Sequence, residues 1–203
     1  PEPAEKSRWR EGSPATVVRH LRGLKAQHQP VLLHLPDNAL SPGLLRALAD
    51  DPPGAPWYGF VRVHEQLADE GFCRRLRASG CVLLKLGLES GSQAVLDAMG
   101  KGVRLELMER TLAALTRAGI ATYVYLLFGT PSESLEEARQ TLDFTRRHHR
   151  AITFLNLAVF NMPVASDEAA ELPGESFSDG DLSLYRDFVH PRGWDRRAVR
   201  TFL

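Results

Sequence analysis

Cysteine is scarce. There are two in 203 residues, too few for the disulfide framework of a secreted scaffold, so a reducing cytoplasm is the expected compartment. Cys73 and Cys81 do not have zinc-ligand spacing, and the seven histidines form no metal pattern. Neither sign of charge is in excess: Lys plus Arg and Asp plus Glu both number 25. That balance argues against a nucleic-acid partner and against attraction to an acidic membrane. No apolar run is long enough to span a bilayer, and the start has no signal-peptide pattern. The GxxxxGK phosphate loop, the nucleophile elbow and HExxH are all missing, which sets aside three common chemistries.

What is present is an ordinary globular composition, 43% hydrophobic, in a chain long enough for one sizeable core. Its organising stretch is Leu83-Leu84-Lys85-Leu86-Gly87-Leu88-Glu89-Ser90-Gly91-Ser92. An apolar run of strand type ends in a carboxylate and two hydroxyls, and Gln93–Met99 then opens a capped helix. In parallel α/β folds ligands bind at that end of the strands.

The rest of the chain repeats the theme. Ser13-Pro14 reads as a cap with proline at the first helical position, and Val17, Val18, Leu21 and Leu24 continue a helix to about Gln27. Strands begin near positions 31, 57, 81, 120 and 152, with Pro36-Asp37-Asn38 expected at the carboxyl end of the first. Helices are expected over 44–48, around Phe72 and Leu76, from Leu105 to Thr116 and from Leu135 to His148, with Gly80 and Gly119 as stops. This alternation predicts a parallel sheet built from βαβ crossovers, as a partial barrel or an open doubly wound sheet. The first helix has no strand before it, so one strand and its loop are expected to lie outside this chain. Residues 1–12 read as a tail, 13–163 as the barrel core, and 164–203 as an extension with short helices at Asp181–Phe188 and Trp194–Leu203.

Several polar residues stand out. Glu89 is placed to take a ribose hydroxyl or an ammonium group, with Ser90 assisting; the alternative is that the carboxylate only caps the next helix. Lys85 shares a strand face with Glu89 and is expected to pair with an acid or to face a polar cavity. Arg62, in the neighbouring strand, raises the same question, and two such cations favour a polar interior. Gly129-Thr130-Pro131 is either a turn that lets backbone approach a ligand or an ordinary strand-to-helix turn. Asn156 and Asn161 sit in the last strand, where Asn is depleted. His34 and His64 are strand-end candidates for substrate contact, and Cys81 reads as small apolar core.

The string from Gly80 to Gln93, followed by Val95-Leu96-Asp97, Met99 and Lys101-Gly102, resembles radical S-adenosylmethionine (SAM) enzymes, especially the group that often carries a cobalamin-binding domain. The resemblance continues in Ala118-Gly119-Ile120, Tyr125–Ser134 and Glu136-Glu137, and takes in Asp37-Asn38 and Val61-Arg62-Val63. It implies a partial (β/α)6 barrel that binds SAM and a [4Fe-4S] cluster, generates a 5′-deoxyadenosyl radical, and draws electrons from a flavodoxin- or ferredoxin-like donor. It further implies SAM contacts at Glu89, Ser90, Gly129, Thr130, Pro131, Asn156 and Asn161, with Arg62 and Asp37 as further cofactor-binding candidates, and a small-molecule or peptide substrate. The family's CxxxCxxC cluster loop is missing, so this chain alone is expected not to assemble the cluster. Where the family often has two acids after the second barrel strand, this chain has Pro36-Asp37, which puts an acid role there in question. Competing readings are an unrelated α/β-barrel lyase or aldolase using Lys85 or Arg62, and a degenerate barrel that only binds.

Overall fold

A computed structural model describes residues 12–177 and 183–203, leaving out the side chains of Asp37, Asn38 and Glu168. The elements follow in the order α1 (Pro14–His28), β1 (Leu33–Leu40), α2 (Pro42–Asp50), β2 (Trp57–Val61), α3 (Glu70–Ala78), β3 (Cys81–Glu89), α4 (Gln93–Ala98), α5 (Leu105–Ala118), β4 (Ala121–Phe128), α6 (Leu135–His148) and β5 (Phe154–Val159). After these come β6 (Met162–Pro163), α7 (Asp167–Glu171), β7 (Tyr185–Arg186) and α8 (Arg196–Phe202). The five main strands form one parallel sheet in consecutive order. A doubly wound sheet reverses its strand order at a switch point, and this sheet does not. The partial barrel is therefore the architecture.

Two compact units share the chain. One takes the chain up to Leu86 together with Glu109–Tyr123; the other takes Gly87–Met108 and Val124–Leu203. In the first, Leu33 and Leu35, Trp57 and Val61, and Leu84 and Leu86 are buried, as are Leu45 and Leu48 of α2 and Leu76 of α3. Each such leucine contributes about 1.5–3 kcal/mol through removal of apolar surface from water. The register slips where Trp57 pairs Cys81 but Tyr58 pairs Leu83, which leaves Val82 as an extra residue. That bulge puts Leu84, Leu86 and Leu88 on the covered side and Lys85, Gly87 and Glu89 on the half-exposed side.

In the second unit β4 alternates strictly, with Val124, Leu126 and Phe128 buried. Ser134 and Glu137 form a capping box at the start of α6, each satisfying a backbone N–H of the other's turn. β5 is less covered than a core strand: Phe154, Leu155 and Leu157 are all exposed.

Some expectations are corrected here. β1 runs on through Asp37-Asn38 to Leu40, with its register irregular between Leu35 and Leu40, so these two residues lie inside the strand and not after it. Asn161 lies beyond β5. Arg62 lies beyond β2 and is exposed, not buried. Ser13 makes no side-chain cap; its carbonyl instead accepts from Thr16 and Val17 N–H. The helix expected over Asp181–Phe188 is replaced, where residues are described, by β7, which pairs antiparallel with β6; Asp181 and Leu182 lie outside the described residues, as does the expected tail up to Glu11. α8 meets the expectation for the last helix.

Candidate functional site

β3 ends in a tight turn. Ser90 N–H donates to the Leu88 carbonyl at 2.8 Å, and Glu89 at the apex has φ +65°. A two-residue-reach hydrogen bond around a positive φ is the rare, strained form of the γ-turn. Gln29 and Glu89 are the non-glycine residues with positive φ among those described, and Gln29 is an ordinary helix end. Strain of this kind costs on the order of 1–3 kcal/mol and concentrates where a side chain must be aimed. The Glu89 side chain is 15% exposed, and Lys101 Nζ donates to its Oε1 at 2.7 Å. The acid partner expected for Lys85 is therefore not assigned to Glu89, whose cation is Lys101.

Ser90 is fully buried and points into the protein. Its hydroxyl lies 3.2 Å from Thr141 Oγ1 on α6 and accepts from Ser92 N–H at 3.1 Å. Thr141 Oγ1 also accepts from Gly91 N–H at 2.9 Å and donates to the Glu137 carbonyl at 3.1 Å. With Ser90 as donor to Thr141, both hydroxyl protons of this pair are donated and each oxygen also accepts. Ser90 fastens the turn to α6, and Glu89 is left as the turn's outward group.

The second turn follows β4. Gly129 N–H donates to Glu133 Oε2 at 2.5 Å. Glu133 is fully buried and also accepts from Trp194 Nε1 at 3.0 Å, while its Oε1 has no partner among the described residues. Burial pushes its carboxyl above the usual carboxylate range against these two donors. His190 Nε2 donates to the Thr130 carbonyl at 2.9 Å, and its Nδ1 accepts from Arg192 and Trp194 N–H at 3.2 and 3.3 Å. Both ring nitrogens are thus committed to the neutral imidazole, and desolvation lowers the His190 pKa.

Segment 187–201 and the turn enclose a cavity of about 710 Å³, lined in part by Gly129, Val159, Phe160, His190, Trp194 and Arg196. That volume suits a small-molecule or cofactor site. Thr130 is 2% exposed and Pro131 half-exposed. A Cβ on Gly129 would lie 3.2 Å from Val199 Cγ2, so its missing side chain admits α8. Asn156 is half-buried on β5; Asn161 is exposed and accepts from Arg196.

In the first unit, His34 stacks on Tyr58 with ring centroids 4.4 Å apart, and Lys85 Nζ lies 3.5 Å from His34 Nε2. His34 is inside β1, not at its end. The Asp37 side chain lies outside the described set. Cys73 and Cys81 are free and buried, and burial raises the Cys73 thiol to about 11 and the Cys81 thiol further. Among the described residues no three acid, histidine or cysteine side chains cluster as metal ligands. Two buried thiols are too few to supply the ligands of a four-iron cluster.

His190 gives a pH prediction. A lowered folded pKa means its contribution is present above the ordinary histidine value of about 6.5 and lost as pH falls through the folded pKa. Thermal melts between pH 7.5 and 5 are expected to show a smaller acid-side loss for His190→Gln than for the wild type. Parallel curves would contradict this.

A consecutively ordered parallel sheet, with a strained acid at one strand end and a cavity at the next turn, defines an α/β partial-barrel protein. Residues 58–145 match the family model described as Radical SAM superfamily, and the resemblance read from the sequence holds on that segment. The anaerobic magnesium-protoporphyrin IX monomethyl ester cyclase of Rubrivivax gelatinosus is 29% identical over 138 residues, 68% of this chain and 24% of that protein. The tRNA-2-methylthio-N(6)-dimethylallyladenosine synthase of Mycobacterium bovis is 38% identical over 78 residues, 36% of this chain and 15% of that protein. The chain thus spans at most 24% of the length of these relatives. Among solved structures, the radical SAM methyltransferase TsrM from Kitasatospora setae superposes with a TM-score of 0.65 at 23% identity, covering 87% of this chain and 38% of that one. The apo form of the cobalamin-dependent SAM radical enzyme OxsB gives 0.69 at 13% identity, covering 100% of this chain and 38% of that one. At such identities these two structures establish the fold.

Proposed function

We propose that this chain is the SAM-binding core of a radical SAM enzyme whose cluster ligands lie outside it. The carrying observation is Glu89: a strained backbone aims a carboxylate at the carboxyl rim, with Oε1 held by Lys101. Ser90, Gly91 and Thr141 lock that turn in place, and Glu133 and His190 lock the turn after β4. Asn156, half-buried on β5, is in this reading a further contact. Ser90, Gly129 and Thr130 act by positioning, since their side-chain space is already filled. Pro131 lines the turn beside the ligand; Arg62, Asp37 and Asn161 are weaker candidates.

When bound, SAM supplies radical or methyl-transfer chemistry in this family. The protein's share is to hold the nucleoside and exclude water. A cobalamin in another domain fits the group that TsrM and OxsB represent, and a flavodoxin- or ferredoxin-like donor fits the need for electrons. The substrate in this reading is a small molecule or peptide; the tRNA-modifying relative makes a nucleic acid the competing one.

Calorimetric titration of SAM into the cluster-free chain tests the rim. Glu89→Ala is expected to weaken binding about tenfold, the loss of one charge-assisted hydrogen bond of about 1.5 kcal/mol. Unchanged affinity would remove Glu89 from the site.

A further inference from the structure

α8 carries three arginines, Arg196, Arg197 and Arg200, and no acid. The stability of the helix does not ask for them. Arg196 and Arg197 stand in its first turn, the wrong end for a cation, and Arg200 follows Arg197 by three positions, where like charges repel. Arg196 is engaged elsewhere. Its Nη2 donates to Asn161 Oδ1 at 2.5 Å and to the Phe160 carbonyl at 3.4 Å, and its guanidinium lies 5.1 Å from the Phe177 ring centroid. Arg197 and Arg200 are not: among the described residues neither side chain makes an ion pair or a hydrogen bond.

Both of these free arginines border the cavity of about 710 Å³ in the second unit. Its apolar wall is made by Val159, Phe160, Phe188, Val189 and Trp194, with the Phe160 and Phe188 rings edge to face at 5.9 Å. The other ionisable groups of the lining are already engaged. Asp195 Oδ1 accepts from Ala198 N–H at 2.7 Å, and Asp187 Oδ1 from Phe188 N–H at 3.0 Å. His190 has both ring nitrogens occupied. A ligand entering the cavity therefore meets an aromatic wall and two uncommitted guanidiniums, the mix of apolar surface and few polar groups that small-molecule sites show. We propose that this cavity is a binding site for a small molecule with an aromatic body and one anionic headgroup, a carboxylate or a phosphate, held at Arg197 and Arg200. A guanidinium presents two parallel N–H donors to either headgroup, which an ammonium cannot do. A cationic ligand meets two like charges instead. Taking this ligand for the substrate rests on the radical SAM reading; the anion site itself does not.

Fluorescence titration of the full chain with two probes of one aromatic body tests it. Anilinonaphthalene sulfonate is anionic, its sulfonate standing in for the headgroup; N-phenylnaphthylamine is neutral. The wild type is expected to bind the sulfonate about tenfold more tightly, and equal binding overturns the proposal. Arg197→Gln with Arg200→Gln should lower that preference about tenfold, whereas Arg197→Lys with Arg200→Lys keeps it within about threefold. A structural lesion weakens both probes by one factor, so a preference unmoved in the glutamine chain also overturns the proposal. If that chain does not fold, Arg200→Gln alone serves, with an expected drop of about threefold. Benzoate and phenyl phosphate compete as models of the two headgroups, with benzyl alcohol as the neutral control. Displacement of the sulfonate by either acid and not by the alcohol supports the site, and the stronger competitor names the headgroup; displacement by neither counts against it. One-for-one displacement by SAM would make the cavity part of the SAM site and end the proposal. The two readings fail separately: SAM affinity unchanged in Glu89→Ala, with the sulfonate preference intact, removes the rim reading alone, and the converse removes only the anion site.

Discussion

Replacing Gly91 with alanine is expected to cost this chain its second unit. A Cβ at that position would lie 2.7 Å from Phe144 Cβ, 2.7 Å from Thr141 Cα and 2.9 Å from the Gln140 carbonyl oxygen. Two of the three atoms are backbone of α6, and the third is anchored to it, so none is the free end of a side chain that could swing away. Either α6 retreats from the β3 turn or the turn leaves α6. Retreat opens the buried contacts of Phe144 and breaks the hydrogen bonds of Thr141 to Ser90 and to Gly91 N–H. Overpacking of this kind costs about 1–3 kcal/mol, and each buried group left unpaired adds about 1–3 more. A melting temperature lower by more than about 10 °C, or no soluble fold, is the expected result, at about 2–4 °C per kcal/mol for a chain of this size. Gly91→Ala melting within about 2 °C of the wild type would show that the turn and α6 are not in contact. Thr141→Ala separates the two causes. It removes the hydroxyl without adding volume, so its loss should be distinctly smaller.

That contact marks how far the sequence could be read. The strand, the acid at its end and the helix that follows are local features, and Leu83–Ser92 displays all three. The alternation of strands and helices gave the parallel sheet for the same reason. The direction of Ser90 is another matter. A hydroxyl one residue past a strand looks identical whether it faces a ligand or Thr141, and Thr141 is 51 positions away in the chain. The clamp on Gly129-Thr130 was hidden likewise, because His190 and Trp194 act from 60 and 61 residues away. Lys101 was visible as part of the Lys101-Gly102 string, but its meaning depends on a loop folding back over 12 residues. Arg62 misled for a simpler reason: β2 stops at Val61, and one residue further the pattern of a buried strand no longer applies. Polar residues at strand ends were found readily; what each one faces is set by distant partners.

Glu133 is where such a distant partner carries the most energy. Its Oε2 is the shared acceptor of Gly129 N–H and Trp194 Nε1–H, inside a fully buried setting. Glu133→Ala removes the acceptor from two buried donors at once, at about 1–3 kcal/mol each, and leaves a cavity besides. A total near 4 kcal/mol, or about 10 °C in melting temperature, is expected. Glu133→Gln behaves differently, because its side-chain oxygen still accepts from one or both donors while the cost of burying a carboxylate disappears. The raised carboxyl pKa gives the sign. A carboxyl that titrates higher in the folded chain than in the unfolded one supports folding most fully at low pH, and that support is lost as pH rises through the folded value. Glutamine does not titrate. The stability of Glu133→Gln relative to wild type should therefore climb with pH, from a deficit or parity near pH 4 toward parity or a gain near pH 8. Trp194→Phe, which deletes one donor and keeps most of the ring, should cost little in the Glu133→Ala background and more in the wild type, giving a coupling of about 1 kcal/mol or more in the double-mutant cycle. Additive losses, with a flat Glu133→Gln difference across pH, would mean that Trp194 and Glu133 do not hold the turn together. The segment from His190 to Trp194 would then be packing beside the site and not part of its frame.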